Sequence, residues 1–232
     1  MRETFFSGIT MEYPDSQFRL STDSVLLADF VRLRHRSRIC DLGCGCGAIS
    51  LMLLGRERDL YITGVELQPQ AAQCAEENAR QNGLEDRLRV VQGDLREHRT
   101  LLGANGFDIV VSNPPYYPVN SGPAGSLAAQ RSEQTCTLED LAQAAAWLLR
   151  FGGSFCVVHK PERLCDLMCA LRQWKLEPKR IRFVRSRPGA DISLVLLESR
   201  LGAGIGLRYE PDLILRDENG AESEEYKRIY HR

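Results

Sequence analysis

Between residues 38 and 159 the chain alternates short apolar runs with stretches of helical periodicity, a pattern that few architectures accept. Residues 38–41, 60–66, 88–92, 107–112 and 154–159 read as buried strands. Residues 48–54, 68–82 and 138–149 read as helices, with Gly83 as a C-cap after the second and Thr137 opening the third. Strands that alternate with helices are parallel, are joined by right-handed crossovers and carry helices on both faces. Two later runs, 180–185 and 192–198, flank a Pro188-Gly189 turn too short for a crossover, so they pair antiparallel. The expectation is an α/β fold: a doubly wound, mostly parallel, seven-stranded sheet with an antiparallel final strand. The sheet domain spans 38–200, preceded by a segment 1–37 and followed by an extension 201–232.

Composition narrows the class. The chain has 232 residues, 43% hydrophobic and 26% charged, which suits one globular domain. Its net charge of −1 gives no general attraction for a polyanion, so any contact with nucleic acid needs a local patch. Residues 1–6 carry acidic and polar groups where a signal peptide would be apolar, and no apolar run approaches a membrane span. A cytoplasmic location is expected. The eight cysteines form no CxxC pair and no zinc-like spacing with the four histidines, so they read as reduced core residues and no metal is expected.

The first strand runs into Asp41-Leu42-Gly43-Cys44-Gly45-Cys46-Gly47-Ala48. Glycines there let a ligand approach the backbone, and the helix that follows offers free N–H groups at its positive end. Glu66, followed by Leu67, ends the second strand where a carboxylate can accept both hydroxyls of a ribose. Asp94, followed by Leu95, comes after the third strand, placed to accept from an adenine amino group. The glycine pattern also fits a dinucleotide fingerprint. Asp41 tells the two apart: an acid there repels a pyrophosphate and suits a cationic ligand. S-adenosylmethionine (SAM) has an ammonium, a sulfonium, a ribose and an adenine, and no phosphate. A tight turn with capping acids is the purely structural alternative.

After the fourth strand comes Asn113-Pro114-Pro115-Tyr116. Two prolines cannot extend a strand, so the tetrapeptide is a stiff loop offering an amide, a main-chain carbonyl and a ring. Such a set can hold a flat nitrogenous group by its edge and its face at once.

Taken together, Asp41–Gly47, Glu66, Asp94 and Asn113–Tyr116 resemble the class I SAM-dependent methyltransferases that modify exocyclic amino nitrogens. Residues 18–28, which include Thr22, Asp23 and Leu27, are similar to the segment those enzymes place over the SAM methionine. His159–Arg163 and the tail from Tyr209 to Tyr230 resemble the bacterial adenine-N6 methyltransferases of valine tRNA, although Glu210-Pro211-Asp212 departs from that group's more apolar tail. The resemblance implies a Rossmann-like fold, SAM as cofactor, and methyl transfer to adenine N6 beside the anticodon of a tRNA by a monomer without metal. It also implies the site residues. Asn113 and the Pro114 carbonyl would hold the target amino group, Pro115 would stiffen the loop and Tyr116 would stack on the base. Thr22, Asp23, Leu27, Asp41, Gly43, Gly45, Gly47, Glu66, Leu67, Asp94, Leu95 and Asn113 would form the cofactor site.

Other readings use the same chemistry. The tetrapeptide also serves methylation of glutamine amides in release factors, but the 37 residues before the first strand are too few for the helical substrate domain of those enzymes. Methylation of guanine N2 in ribosomal RNA poses the same chemical problem. A non-catalytic RNA-binding module would not require Asp41, Asn113 and the glycines together. Two arginine-rich stretches, 32–38 and 172–187, are candidate phosphate contacts. The Gly/Ser/Gln-rich segment 120–136 is expected to be a loop that closes over the substrate.

Overall fold

The computed structural model describes residues 2–4, 8–13, 20–115 and 136–230. A two-stranded antiparallel hairpin, β1 (Arg2–Thr4) and β2 (Thr10–Glu12), comes first and is followed by helix α1 (Thr22–Phe30). The alternation then runs β3 (Arg38–Leu42), α2 (Ala48–Arg56), β4 (Tyr61–Glu66), α3 (Pro69–Gln81), β5 (Leu88–Gln92), the short α4 (His98–Leu101), β6 (Phe107–Ser112), α5 (Leu138–Leu148) and β7 (Leu149–His159). A 3-10 turn at Pro161–Arg163 leads into α6 (Leu164–Gln173), then β8 (Leu176–Arg185) and β9 (Ile192–Leu201). Strands β10 (Arg208–Tyr209) and β11 (Leu213–Ile214) and helix α7 (Glu224–Tyr230) complete the described chain.

Among the described residues the main sheet has the order β10-β8-β9-β7-β6-β3-β4-β5, with β11 also against β8. Strands β3 to β7 pair in parallel, and β9 runs antiparallel between β7 and β8. All seven expected strands are present with the expected directions. The sheet is wider than expected because β10 and β11 join β8 in parallel. Each is only two residues long, too short to carry a periodic signal.

Period-two alternation explains why both faces are covered. Ile39, Ile109, Val111, Val158, Leu194 and Leu196 face one core, with α1, α2 and α3. Their neighbours Cys40, Val110, Phe155, Val157, Val195 and Leu197 face the other, with α5 and α6. The junction of α5 and β7 differs from expectation. Strand β7 begins at Leu149, directly after α5, and pairs with Phe107 before a register shift brings Ser154 opposite Ile109. The Gly152-Gly153 pair therefore lies within an irregular strand start. Of the cysteines, Cys165 and Cys169 are exposed on α6, whose buried face is Leu167, Ala170 and Leu171.

Polar side chains attach the outlying pieces. Asn82 Oδ1 accepts from the Thr10 N–H and Asn78 Oδ1 from the Glu12 N–H, each at 2.8 Å, while their amide groups donate to Thr10 and Glu12 carbonyls. Asn78 on α3 and Asn82, its C-cap, thus act toward β2 as a neighbouring strand would. Arg180, 5% exposed, pairs with Glu198 at 2.7 Å and with Glu210 at 3.3 Å, and donates to the Phe30 carbonyl at 2.6 Å. Its guanidinium lies 3.6 Å from the Phe30 ring centroid. One buried cation therefore ties the chain after residue 201 to the sheet and to the end of α1.

Candidate active site

The carboxyl ends of β6, β3, β4 and β5 open into a cleft of about 330 Å³, at the point where the strand order reverses. The turn after β3 forms its floor. The Gly43 and Cys44 N–H groups donate to the Val65 carbonyl at 2.9 and 3.1 Å, which seats the turn on the end of β4. Gly43 and Gly45 take φ of 74° and 55°, in the left-handed region, and a Cβ on either would meet no protein atom within 4 Å. The turn is thus shaped for open space above the backbone. Gly47, at φ 85°, caps α2 from behind the cleft wall.

Glu66 braces two loops. One carboxylate oxygen accepts from Gly45 N–H and the other from Gln68 N–H, both at 2.9 Å. Each oxygen keeps a second lone-pair direction, so the group is oriented without being saturated. Asp94 caps the 3-10 turn Leu95–Glu97 and accepts from Arg96 through both its main-chain N–H and its guanidinium. That hydrogen bonding with Arg96 holds the Asp94 carboxyl below the usual carboxylate range. Asp41 is fully buried beneath the turn and does not line the cleft. Its Oδ2 accepts from the Ser50 hydroxyl at 2.7 Å, while Oδ1 has no partner among the described residues. Burial, opposed by the Ser50 bonds, raises its pKa to about 7.

Asn113, Pro114 and Pro115 form the opposite wall. Ser112 donates to the Leu42 carbonyl at 2.7 Å, fixing the end of β6 against that of β3. The Asn113 amide nitrogen donates to Ser24 Oγ at 3.0 Å and to Ser21 Oγ at 3.3 Å. Ser21 is the N-cap of α1, so the start of that helix is fastened to the end of β6.

The structure brings Asp23, Gly43, Gly45, Glu66, Leu67, Asp94, Leu95, Asn113, Pro114 and Pro115 to one cleft. Thr22 and Leu27 do not line it: Thr22 opens α1, and Leu27, a turn further on, is fully buried in the core. Tyr116 and the loop expected at 120–136 lie outside the described residues, except Cys136, which lines the cleft. Sequence reasoning passed over Ser21, Ser24, Ile49 and Leu141, which also line it. A Ser followed by an acid in the next turn is a helix-start signal that would have drawn attention to Ser21. Asp23, Glu66 and Asp94 are the charged groups of the cleft wall, and no lysine or arginine lines it among the described residues.

The two arginine-rich stretches separate by topology. Residues 32–38 feed β3 from its amino end, on the edge away from the cleft. Because β9 is antiparallel to β7, the β8–β9 turn with exposed Arg187 lies at the same edge as Asn113. Within 172–187, Arg172, Arg182 and Arg185 are paired with Glu177, Glu225 and Asp212.

Comparison with known proteins agrees with this geometry. Residues 16–169 match the methyltransferase small domain family. A tRNA1(Val) (adenine(37)-N6)-methyltransferase of Porphyromonas gingivalis is 30% identical, with 97% of this chain and 91% of that protein aligned. One of the same name from Aeromonas salmonicida is 28% identical, over 97% and 94% of the two chains. Among solved structures, a predicted O-methyltransferase from Agrobacterium tumefaciens, protein Atu636, superposes with a TM-score of 0.75 at 21% identity, covering 90% of this chain and 95% of that one. Geranyl diphosphate methyltransferase, solved in complex with SAM, shares the fold with a TM-score of 0.59. The chain belongs to the methyltransferase small domain family and, within it, to the tRNA1(Val) (adenine(37)-N6)-methyltransferases.

Proposed function

We propose that this protein transfers a methyl group from SAM to the exocyclic N6 of an adenine in tRNA, at position 37 of the valine tRNA for which its relatives are named. The observation that carries the reading is the meeting of two half-sites in one cleft. A glycine turn with Glu66 and Asp94 faces a rigid Asn-Pro-Pro wall, with no basic side chain among the described lining residues. That donor set fits SAM. A cleft whose described charged residues are all acidic favours a cation over a phosphate, and the space above Gly43 and Gly45 is open. Asp41, buried below with Oδ1 unpartnered among the described residues, adds negative potential as it ionises above about pH 7.

When bound, SAM supplies a methyl group carried on a positively charged sulfur. Glu66, pinned by two N–H groups, would accept the ribose hydroxyls, and Asp94, kept ionised by Arg96, the adenine amino group. Leu67 and Leu95 would flank that base. Asp23 would face the cofactor from α1, which Thr22 and Leu27 hold in place, while Gly43 and Gly45 keep side chains out of its path and Gly47 turns the chain into α2.

The adenine amino group is flat because its lone pair is delocalised into the ring. On forming a fourth bond it turns tetrahedral and positive, so acceptors aimed at its hydrogens bind it more strongly then than before. Asn113 Oδ1 and the Pro114 carbonyl would be those acceptors. Proline fixes the carbonyl direction, Pro115 stiffens the turn, and Tyr116 would stack on the target base, worth about 1–3 kcal/mol. An anticodon-loop base can be extruded at lower cost than a paired one.

In this reading 1–37 covers the cofactor, 38–200 is the catalytic domain and 201–232 is an extension. The acceptors hold both amino hydrogens during transfer, and the charged product amine then loses one of them to water, so the reading calls for no metal. One chain supplies every residue named, which fits a monomer. No helix among the described residues is long and apolar enough to cross a membrane, and a tRNA substrate suits the cytoplasm.

The test is methyl transfer from labelled SAM to unmodified tRNA, with wild type and Asn113→Ala side by side, followed by nucleoside analysis. N6-methyladenosine at position 37 from the wild type, formed much more slowly by the variant, is expected. SAM bound in a calorimeter with no label entering tRNA would overturn the tRNA reading.

A further inference from the structure

We infer that Ser24, supported by the N-cap residue Ser21, is a positioning residue that sets which end of the Asn113 amide meets the substrate. This rests on the function proposed above. The amide has two ends of opposite hydrogen-bonding sense. Only Oδ1 can accept from an amino group, and a reversed amide would set two donors against each other.

Three distances define the device. Asn113 Nδ2 lies 3.0 Å from Ser24 Oγ and 3.3 Å from Ser21 Oγ, and the two hydroxyl oxygens lie 3.2 Å apart. Nδ2 carries two hydrogens and meets two oxygens. The Ser21 hydroxyl hydrogen can then pass to Ser24 Oγ, while Ser21 Oγ also caps Ser24 N–H at 3.3 Å, so neither oxygen accepts more than two hydrogen bonds. With the amide reversed, both hydroxyl hydrogens would be drawn to Oδ1 and the bond between the serines would be lost. Among these three side chains the observed orientation therefore makes one hydrogen bond more than its reverse, a difference that counts because they are partly withdrawn from water. Ser24 is only 9% exposed, and its carrier helix is fastened at its far end by Arg180 on the Phe30 carbonyl. The hydroxyls thus stand on a fixed element, as accurate positioning requires.

Ser24→Ala is the clean variant, since it removes one hydroxyl while leaving the Ser21 cap in place. On tRNA, kcat should fall roughly 10- to 100-fold, with KM for SAM and for tRNA changing less than about 3-fold. Ser24→Thr, which keeps the oxygen, should restore most of the rate. In the Asn113→Ala background, Ser24→Ala should have no further effect, because it acts through that amide. Effects that multiply in the double variant, or a rise in the KM for SAM at unchanged kcat, would overturn the inference. A second readout needs no substrate. In 15N-labelled protein the Asn113 side-chain NH2, assigned from its loss in Asn113→Ala, should exchange with solvent about 5-fold faster in Ser24→Ala. Equal exchange in the two proteins refutes the device whatever the substrate is, whereas changed exchange in a wild type inactive on tRNA would fault only the function.

Discussion

Replacing Asp41 by asparagine should reverse the sign of a pH dependence. Burial raises the Asp41 pKa from 3.8 to about 7, and burial lowers that of His159 from 6.5 to about 4. Each shift is a stability term. For Asp41 the folded state binds the extra proton, so stability is lost as pH rises from about 4 to about 7. Three units at 1.36 kcal/mol each make that loss about 4 kcal/mol. For His159 the unfolded state binds the extra proton, so stability is gained as pH rises from about 4 to 6.5, by about 3 kcal/mol on the same conversion. The two groups sit toward the carboxyl ends of β3 and β7, with β6 between them, are 0% exposed, and oppose each other over one pH window. Their sum in the wild type is small. Asp41→Asn keeps an oxygen for the Ser50 hydroxyl and deletes one term, so the variant should gain stability across pH 4.5–6.5 relative to the wild-type trend. His159→Gln should show the opposite slope. Urea unfolding of the ligand-free protein at half-unit pH steps, followed by tryptophan fluorescence, measures the difference directly. Wild-type and Asp41→Asn curves that run parallel within about 0.5 kcal/mol would show that the buried carboxyl does not titrate in this range, and the linkage argument would fail.

Glu66→Ala removes the acceptor shared by Gly45 and Gln68 N–H, and should weaken SAM binding by about 2–3 kcal/mol in calorimetry with far-UV circular dichroism unchanged. Arg180→Ala leaves Glu198 buried without its partner and frees Glu210 and the Phe30 carbonyl, so a loss of about 3–5 kcal/mol in denaturant unfolding is expected. Arg187→Glu, at the cleft edge of the sheet, should weaken tRNA binding by about 10-fold and lower its salt slope by about one. Arg34→Glu, at the opposite edge, should leave both unchanged; equal effects would mean that topology does not sort the basic stretches.

Much of the fold was legible because its signals are local. A buried parallel strand is a short apolar run and a crossover helix has its own period, so all seven long strands could be found from their own residues. Strands β10 and β11 could not, since two residues acquire an extended geometry only by pairing with β8. The body of α1 was similarly hard to read: past the Ser21 start signal, Val25, Leu26, Leu27 and Ala28 are buried in succession, so the helix has no amphipathic stripe. The cysteines at 165 and 169 show the reverse error, because a small apolar side chain says nothing of which helix face it occupies.

For the site, the sequence by itself determined the chemical inventory. The glycines, Glu66, Asp94 and the Asn-Pro-Pro turn each announce a backbone conformation or a hydrogen-bonding sense that their neighbours in the chain impose. Tertiary structure alone decided how those groups are engaged. It placed Asp41 under the floor with its charge unsupported, gave Asp94 to Arg96 and Glu66 to two loops, and left the basic stretch 32–38 on the far edge. It also brought Ser21 and Ser24, about ninety residues away along the chain, to the amide of Asn113. The physical reason is that residue type fixes what a group can donate or accept, whereas burial and partnership depend on which strands lie side by side, and that is a property of the whole sheet.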